Sequence, residues 1–305
     1  MTASGTAALH SLVSAYNIYY GRTLQWVTQA YTFPSAVLGT LKHSVVVDND
    51  PEAKGPSLDQ LERETFDGLI VTNVFGTLTK IDVYLKWAKD HGKLVIFDNA
   101  ATPFSLVNGQ NVCGMGDGAI VSFHETKAFG RGEGGCVCAP AFLKRSLERS
   151  VNFGFDYGVS VRVSHPEASN WRMSDIAAAF LHARLELLTP KVIAHALHLN
   201  RDIHAFLKAS KHLEPLFPLR EEESWFISCI CVKPSKHVDI EEFSEKYSIE
   251  AKRYYVPLGS KEKAPLAWSW YENVVCLPFD YTKSFEEIVY CLESLEEYVD
   301  RAEDK

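Results

Sequence analysis

The stretch Val121-Ser122-Phe123-His124-Glu125-Thr126-Lys127-Ala128-Phe129-Gly130-Arg131-Gly132-Glu133-Gly134-Gly135-Cys136-Val137 decides the fold. It begins as an apolar strand, passes a serine and a lysine, and enters a turn with four glycines within eight residues of that lysine. Such a layout places an amine at the mouth of a sheet, beside backbone amides that glycine leaves free to approach an anion. Working outward, Leu94-Val95-Ile96-Phe97-Asp98 is an apolar strand that ends in an aspartate, and Gly68-Leu69-Ile70-Val71-Thr72 is another, closed by Phe75-Gly76. Between them, residues 80 to 91 carry Ile81, Tyr84, Leu85 and Ala88 at helical spacing, with Gly92 as the stop. Further strands are expected at 119 to 123 and 136 to 139. Strands that are apolar throughout and alternate with helices predict an α/β fold, a mostly parallel sheet sandwiched by helices. Ligands of such sheets bind beyond the carboxyl ends of the strands. Asp98, Ser122 and Lys127 all fall there.

Downstream, the spacing predicts a helix over 141–151, a loop over 152–170, a helix from Ser174 and, after the Pro190 break, a helix to about 209. The pattern then changes to strands at 224–232, 253–256 and 274–277, with helices at 239–247 and from Ser284. The expected division is therefore a large domain over 1–210 and a smaller C-terminal α+β domain over 211–305.

The 305 residues are 46% hydrophobic and 23% charged, the balance of an ordinary globular protein. A formal charge of −8 argues against a nucleic-acid surface, which would be basic. No stretch reaches the ~20 apolar residues of a membrane span, and no basic segment precedes the first apolar run as in a signal peptide. The seven cysteines are odd in number and lack C-x-x-C spacing. Cys136/Cys138 and Cys229/Cys231 stand two apart in apolar runs, so each pair faces one way in a strand. Buried free thiols and a cytoplasmic location are the expectation. The histidines at 10, 91, 195, 198 and 204 show no metal-ligand spacing and are expected on helix surfaces or in packing.

Lysine, aspartate and an anion-binding turn are together what pyridoxal phosphate asks of a protein. Lys127 alone is open to reading as a surface lysine, and Asp98 as a turn former. The pair on neighbouring strands points instead to an amine nucleophile and a carboxylate facing a pyridinium nitrogen. Ser4-Gly5-Thr6 opens the first apolar helix, either as a simple N-cap or as a phosphate site, since a helix start serves both. Ser122 offers a second hydroxyl.

The segments SGTAAL, YTFPSAVLGTL, VFG, HGKLVIFDNAA, SFHETKAFGRGEGG, SNWRMSDIAAA and RYYVPL, in this order along nearly the whole chain, resemble the DegT-type nucleotide-sugar aminotransferases of the aspartate-aminotransferase fold (fold type I). The resemblance implies pyridoxal 5'-phosphate as cofactor, with Lys127 as the Schiff-base lysine and Asp98 as the pyridinium partner. It implies that Ser4, Gly5, Thr6 and Ser122 hold the phosphate, that Phe33 stacks on the ring, and that Ala101 stands beside it. Asn170 and Arg172 would reach the site of the other subunit, so a homodimer with shared sites is implied. Substrate contacts are expected from His124, Arg131, Arg172, Arg253 and Tyr254, with Lys252, Arg253 and Arg131 as partners for a diphosphate.

Three positions depart from the family pattern. Only Met1, Thr2 and Ala3 precede SGTAAL, where the family carries a few dozen residues, so either the true start lies upstream or this chain has lost a segment that helps form the substrate pocket and dimer. Ala101 stands where a polar Gln or His is usual, followed by Thr102. Gly259 replaces the histidine after the late Pro-Leu. The implied activity is transfer of an amino group from an amino-acid donor, commonly glutamate, to a nucleotide-linked keto sugar. A keto-cyclitol substrate and a non-catalytic partner subunit are the alternatives.

Overall fold

The computed structural model describes residues 1–127, 130, 132–156 and 165–302. In chain order they form α1 (Gly5–Tyr20), β1 (Trp26–Gln29), β2 (Val45–Val47), α2 (Leu58–Leu61), β3 (Gly68–Thr72), α3 (Ile81–His91), β4 (Leu94–Asp98), the short β5 (Leu106–Val107) and β6 (Gln110–Asn111), β7 (Gly118–Ser122) and β8 (Gly135–Cys138). Then follow α4 (Lys144–Val151), α5 (Asp175–Leu187), α6 (Pro190–Ala209), β9 (Leu213–Pro215), β10 (Glu223–Ser224), β11 (Cys229–Pro234), α7 (Ile240–Tyr247), α8 (Pro265–Asn273), β12 (Val275–Pro278) and α9 (Phe285–Arg301).

The central sheet has the order β2-β1-β3-β4-β7-β8. Its pairs are parallel except for β8, which runs antiparallel to β7. Side chains that alternate along a strand face opposite ways, and here both ways are core. Ile70, Ile96 and Ile120 meet Leu9, Leu12 and Val13 of α1. Leu69, Val71, Val95, Phe97 and Ala119 belong to a cluster with Tyr84 of α3 and Leu199, Ile203 and Leu207 of α6. That is why these strands read as unbroken apolar runs. Truncating any such aliphatic side chain to alanine costs about 2–5 kcal/mol.

Thirteen of the sixteen residues of α1 are buried, including Ser11 and Ser14. Ser11 returns its hydroxyl to Ala8 O at 2.9 Å. Ser4 caps the helix start and Gly21 ends it in the left-handed region. Among the described residues no helix is long and apolar enough to cross a membrane.

Two expected strands are replaced by other structure. The run expected over 224–232 divides into β10 and β11, because residues 225–228 bond to loops rather than to neighbouring strands. Phe226 N–H donates to Ser105 Oγ at 2.8 Å and Ser228 N–H to Phe75 O at 2.7 Å. The strand expected over 253–256 shrinks to one bridge between Lys252 and Cys276; the chain then leaves the sheet, and Leu258 N–H reaches Ala30 O at 2.9 Å. The small C-terminal sheet has the order β12-β11-β9 and is antiparallel throughout. The helix α8, with Pro265 at its start, is an element the spacing did not predict.

Candidate active site

Asp98 is the last residue of β4, paired in register with Thr72 of β3 and Ile120 of β7. Ser122 is the last residue of β7, opposite Gly135. The chain then turns: Lys127 N–H donates to His124 O at 2.9 Å, and Gly130 N–H to Lys127 O at 2.8 Å. The carboxyl ends of adjacent strands thus deliver a carboxylate, a hydroxyl and an amine to one place.

The start of α1 is brought to the same place by the residues before it. Thr2 and Gly135 exchange both backbone hydrogen bonds, at 2.8 and 2.9 Å, and Ala3 N–H donates to Trp171 O at 2.8 Å. A Cβ added at Gly5 would lie 2.6 Å from Ser122 Cβ and 2.9 Å from its Oγ. Only glycine lets the helix start approach Ser122 so closely. Ser4 Oγ accepts from Ala7 N–H at 3.1 Å, and Ser122 Oγ accepts from His124 N–H at 3.3 Å. Ser4 therefore caps the helix while also facing the cavity.

That cavity has a volume of about 630 Å³, within the range of small-molecule sites. Ser4, Gly5, Thr6, Phe33, Asp98, Ala101, Ser122, His124, Lys127 and Tyr254, all singled out from sequence, line it. Asp98 is 2% exposed; burial pushes its carboxyl up, against the Ala100 amide and the Lys127 charge that pull it down. Burial likewise pushes the Lys127 amine below its ordinary value, with Asp98 opposing. Each group needs the other to stay charged, and the amine is shifted toward its neutral, nucleophilic form.

The remaining candidates lie elsewhere or at the rim. His124 Nδ1 sits 2.9 Å from Thr126 Oγ1, and its Nε2 3.4 Å from the Glu133 carboxylate. Arg253 is turned away from the cavity, donating to Val274 O at 3.2 Å and Val238 O at 3.1 Å. Lys252 lines the cavity but is paired with Glu250 at 2.5 Å. Asn170 and Arg172 do not line it; Arg172 Nε donates to Asn170 Oδ1 at 3.2 Å and its guanidinium lies 5.7 Å from the centre of the Phe153 ring. Arg131 lies outside the described residues.

Sequence reasoning missed the wall opposite the strand ends. Phe75 and Tyr255 stack with ring centres 5.3 Å apart, and Phe33 meets Tyr255 edge-on at 5.5 Å. Phe75 holds φ at 60°, rare for an aromatic residue. Its carbonyl is fixed by both the N–H and the Oγ of Ser228, at 2.7 and 3.0 Å. Gly76 follows with φ 95°, and a Cβ there would lie 2.5 Å from Ile227 Cα. The Phe75-Gly76 step after a strand was the one signal available. Cys229 and Cys276 complete this wall.

The donor set suits pyridoxal phosphate. Hydroxyls and a helix start stand where a phosphate would be met. A buried carboxyl that accepts from one backbone amide, Ala100 N–H at 3.0 Å, is matched to a protonated ring nitrogen. A buried amine faces the same space, and aromatic rings flank it.

The family model described as the DegT/DnrJ/EryC1/StrS aminotransferase family matches residues 1–296. A GDP-perosamine synthase of Escherichia coli O157:H7 is 24% identical over 97% of this chain and 84% of its own length. A dTDP-4-amino-4,6-dideoxy-D-glucose transaminase of Shigella dysenteriae is 30% identical over 60% of this chain and 50% of its own. Among solved structures, the Spr1654 protein of Streptococcus pneumoniae in its PMP form superposes with a TM-score of 0.82 at 19% identity, covering 98% of this chain and 87% of that one.

Proposed function

The chain belongs to the DegT/DnrJ/EryC1/StrS aminotransferase family and is an aminotransferase; from that premise we propose that it uses pyridoxal phosphate to move an amino group from glutamate to a nucleotide-linked keto sugar. The observation that carries this is the convergence of Lys127, Asp98, Ser122 and the start of α1 on one cavity. The two relatives named above make or act on nucleotide-linked amino sugars according to their names, and that substrate class is extended here to this chain. A cavity of about 630 Å³ suits it better than a small keto acid alone.

When bound, pyridoxal phosphate supplies an electrophilic carbon that exchanges amino groups and a ring that takes up electrons as a substrate C–H bond breaks. The protein's own part is as follows. Ser4, Thr6 and Ser122 hydroxyls and the free amides of α1 bind the phosphate, and the charge of the helix start adds to their pull. Asp98 keeps a proton on the ring nitrogen by offering it a carboxylate in a place where that carboxylate is poorly solvated. Phe33, which lines the cavity, would pack against the ring. Lys127 Nζ would anchor the cofactor, and the same Nζ, pushed by burial toward neutrality, would serve as the base that takes the proton from the donor's α-carbon and gives it back. His124, on the rim beside Thr126 and Glu133, contacts substrate rather than moving this proton.

We also assign a homodimer with shared sites. Helix α5 buries only Leu181, while Ile176 is 84% and Leu187 64% exposed, and Phe180 half exposed. Such a stripe beside the glycine-rich turn is large for a free surface. Asn170 and Arg172, which do not line their own cavity, would then serve the partner's.

The test is the visible spectrum of the protein with pyridoxal phosphate, before and after glutamate, beside Lys127→Ala. A Lys127-dependent band that glutamate converts to the pyridoxamine form supports the donor half, and keto-sugar nucleotides are then screened by mass of the aminated product. A band indifferent to glutamate overturns the donor; no turnover with any nucleotide-linked ketone overturns the acceptor. Sedimentation of the loaded protein as a monomer overturns the dimer.

A further inference from the structure

The wall facing Lys127 holds three thiols that amine transfer does not use. Cys229 and Cys231 stand two apart on β11, and their sulfurs lie 3.3 Å apart. Cys276 of β12 is the cross-strand neighbour of Cys231, with sulfurs 3.7 Å apart. The pairing geometry explains the closeness. Cys276 directs both its N–H and its C=O to Lys252, at 2.8 and 3.0 Å, and Cys231 directs its C=O to Leu216 N–H at 3.0 Å. The two cysteines therefore form a pair without hydrogen bonds between them, the type whose side chains come closest. All three sulfurs lie within 4.8 Å of one another. All seven cysteines are free thiols.

We propose that Cys229, Cys231 and Cys276 form a binding site for a thiophilic divalent cation of the zinc and cadmium class, with its fourth coordination position open to the active-site cavity. Tetrahedral coordination at a zinc–sulfur distance of ~2.3 Å sets the sulfurs about 3.8 Å apart. The Cys231–Cys276 separation of 3.7 Å already matches, and the Cys229–Cys231 separation of 3.3 Å must open by about half an ångström. The three-sulfur group contains no carboxylate or imidazole, which disfavours hard cations and favours soft ones. Cys229 and Cys276 line the cavity, which gives an entry path and room for a water or a ligand atom in the fourth place. Each S–metal bond replaces an S–H bond whose proton goes to solvent, so binding strengthens as pH rises. The filled site carries one net negative charge, and Cys229 lines the same cavity as Lys127.

The enzyme as isolated, kept reduced, is titrated with Cd(II) and followed by thiolate-to-cadmium absorption in the ultraviolet and by native mass spectrometry. One cadmium per chain is expected, displaced by excess Zn(II), with the signal lost in Cys231→Ser and Cys276→Ser and retained in Cys113→Ser. A wild type without the band, or a band that survives both substitutions or vanishes with Cys113→Ser, overturns the proposal. Should either serine variant fail to fold by circular dichroism, the ¹¹³Cd resonance of the wild type decides: a shift outside the three-sulfur range overturns it. None of these readings depends on amine transfer, so failure here and failure of the proposed activity are separable.

Discussion

The cavity has two walls built on different principles. One is the carboxyl edge of the parallel sheet, where Asp98, Ser122 and Lys127 sit at or just past strand ends and the chemistry is carried by charge. The other comes from Phe75, Ser228, Cys229, Tyr255 and Cys276, where no residue is formally charged and the wall is held by a strained turn, stacked rings and packed thiols. The first wall is arranged to act on a ligand, the second to keep its shape. Substitutions on the first wall should therefore remove activity and spare the fold, and substitutions on the second should do the reverse.

The largest test is Lys127→Ala. Loss of about 10⁴-fold or more in the glutamate half-reaction is expected, since anchor and proton carrier go together, with no fall in melting temperature. Stopped-flow absorbance measures the first and calorimetry the second. Retention of a tenth of the rate would break the assignment of roles to the walls.

Next is Asp98→Asn, expected to slow the same reaction by about 10²-fold. Because burial pushes the Asp98 carboxyl up, the protein without cofactor should melt no lower with a neutral amide there. A variant that melts well below the wild type would mean that Asp98 is structural first.

On the second wall, Gly76→Ala should act on stability. The left-handed φ and a Cβ 2.5 Å from Ile227 Cα together predict a loss of about 2–3 kcal/mol by urea unfolding. An unchanged midpoint would show that the Phe75 turn yields easily and is not the wall's support.

The smallest effect expected concerns Glu223, behind the second wall. Trp225 Nε1 donates to it at 3.0 Å and Arg220 pairs with it, yet burial raises its carboxyl from 4.5 to about 7. The folded state thus holds a proton that the unfolded state releases. Its contribution is complete below pH 4.5 and is lost as pH rises through about 7. Glu223→Gln should flatten the decline in melting temperature between pH 5 and pH 8, read by calorimetry across that range. A decline of equal slope in the variant would place the titrating group elsewhere.

The two walls also differ in how far they can be read from the chain. The strand ends were legible because a parallel strand buried on both faces leaves an apolar run, and the first polar residue after it marks the edge. Asp98 and Ser122 are such residues, and both line the cavity. The second wall was not legible, because residues 225–228 and 253–256 read as strands while the chain there and just beyond bonds to distant loops, Phe226 to Ser105 and Leu258 to Ala30. Arg253 looked like a ligand for a diphosphate, yet two backbone carbonyls claim it. A charge in a sequence does not reveal whether the fold leaves a carbonyl within its reach.

The burial of α1 bears on how the chain is made. Its apolar sides are covered by β7, β8 and α4, elements that follow it by roughly a hundred residues. During synthesis at about 5–20 residues per second, this sticky helix waits many seconds beside the ribosome before its covering exists. Nascent chains halted before Val151, the end of α4, would display it bare, and hold the chaperones that bind such helices.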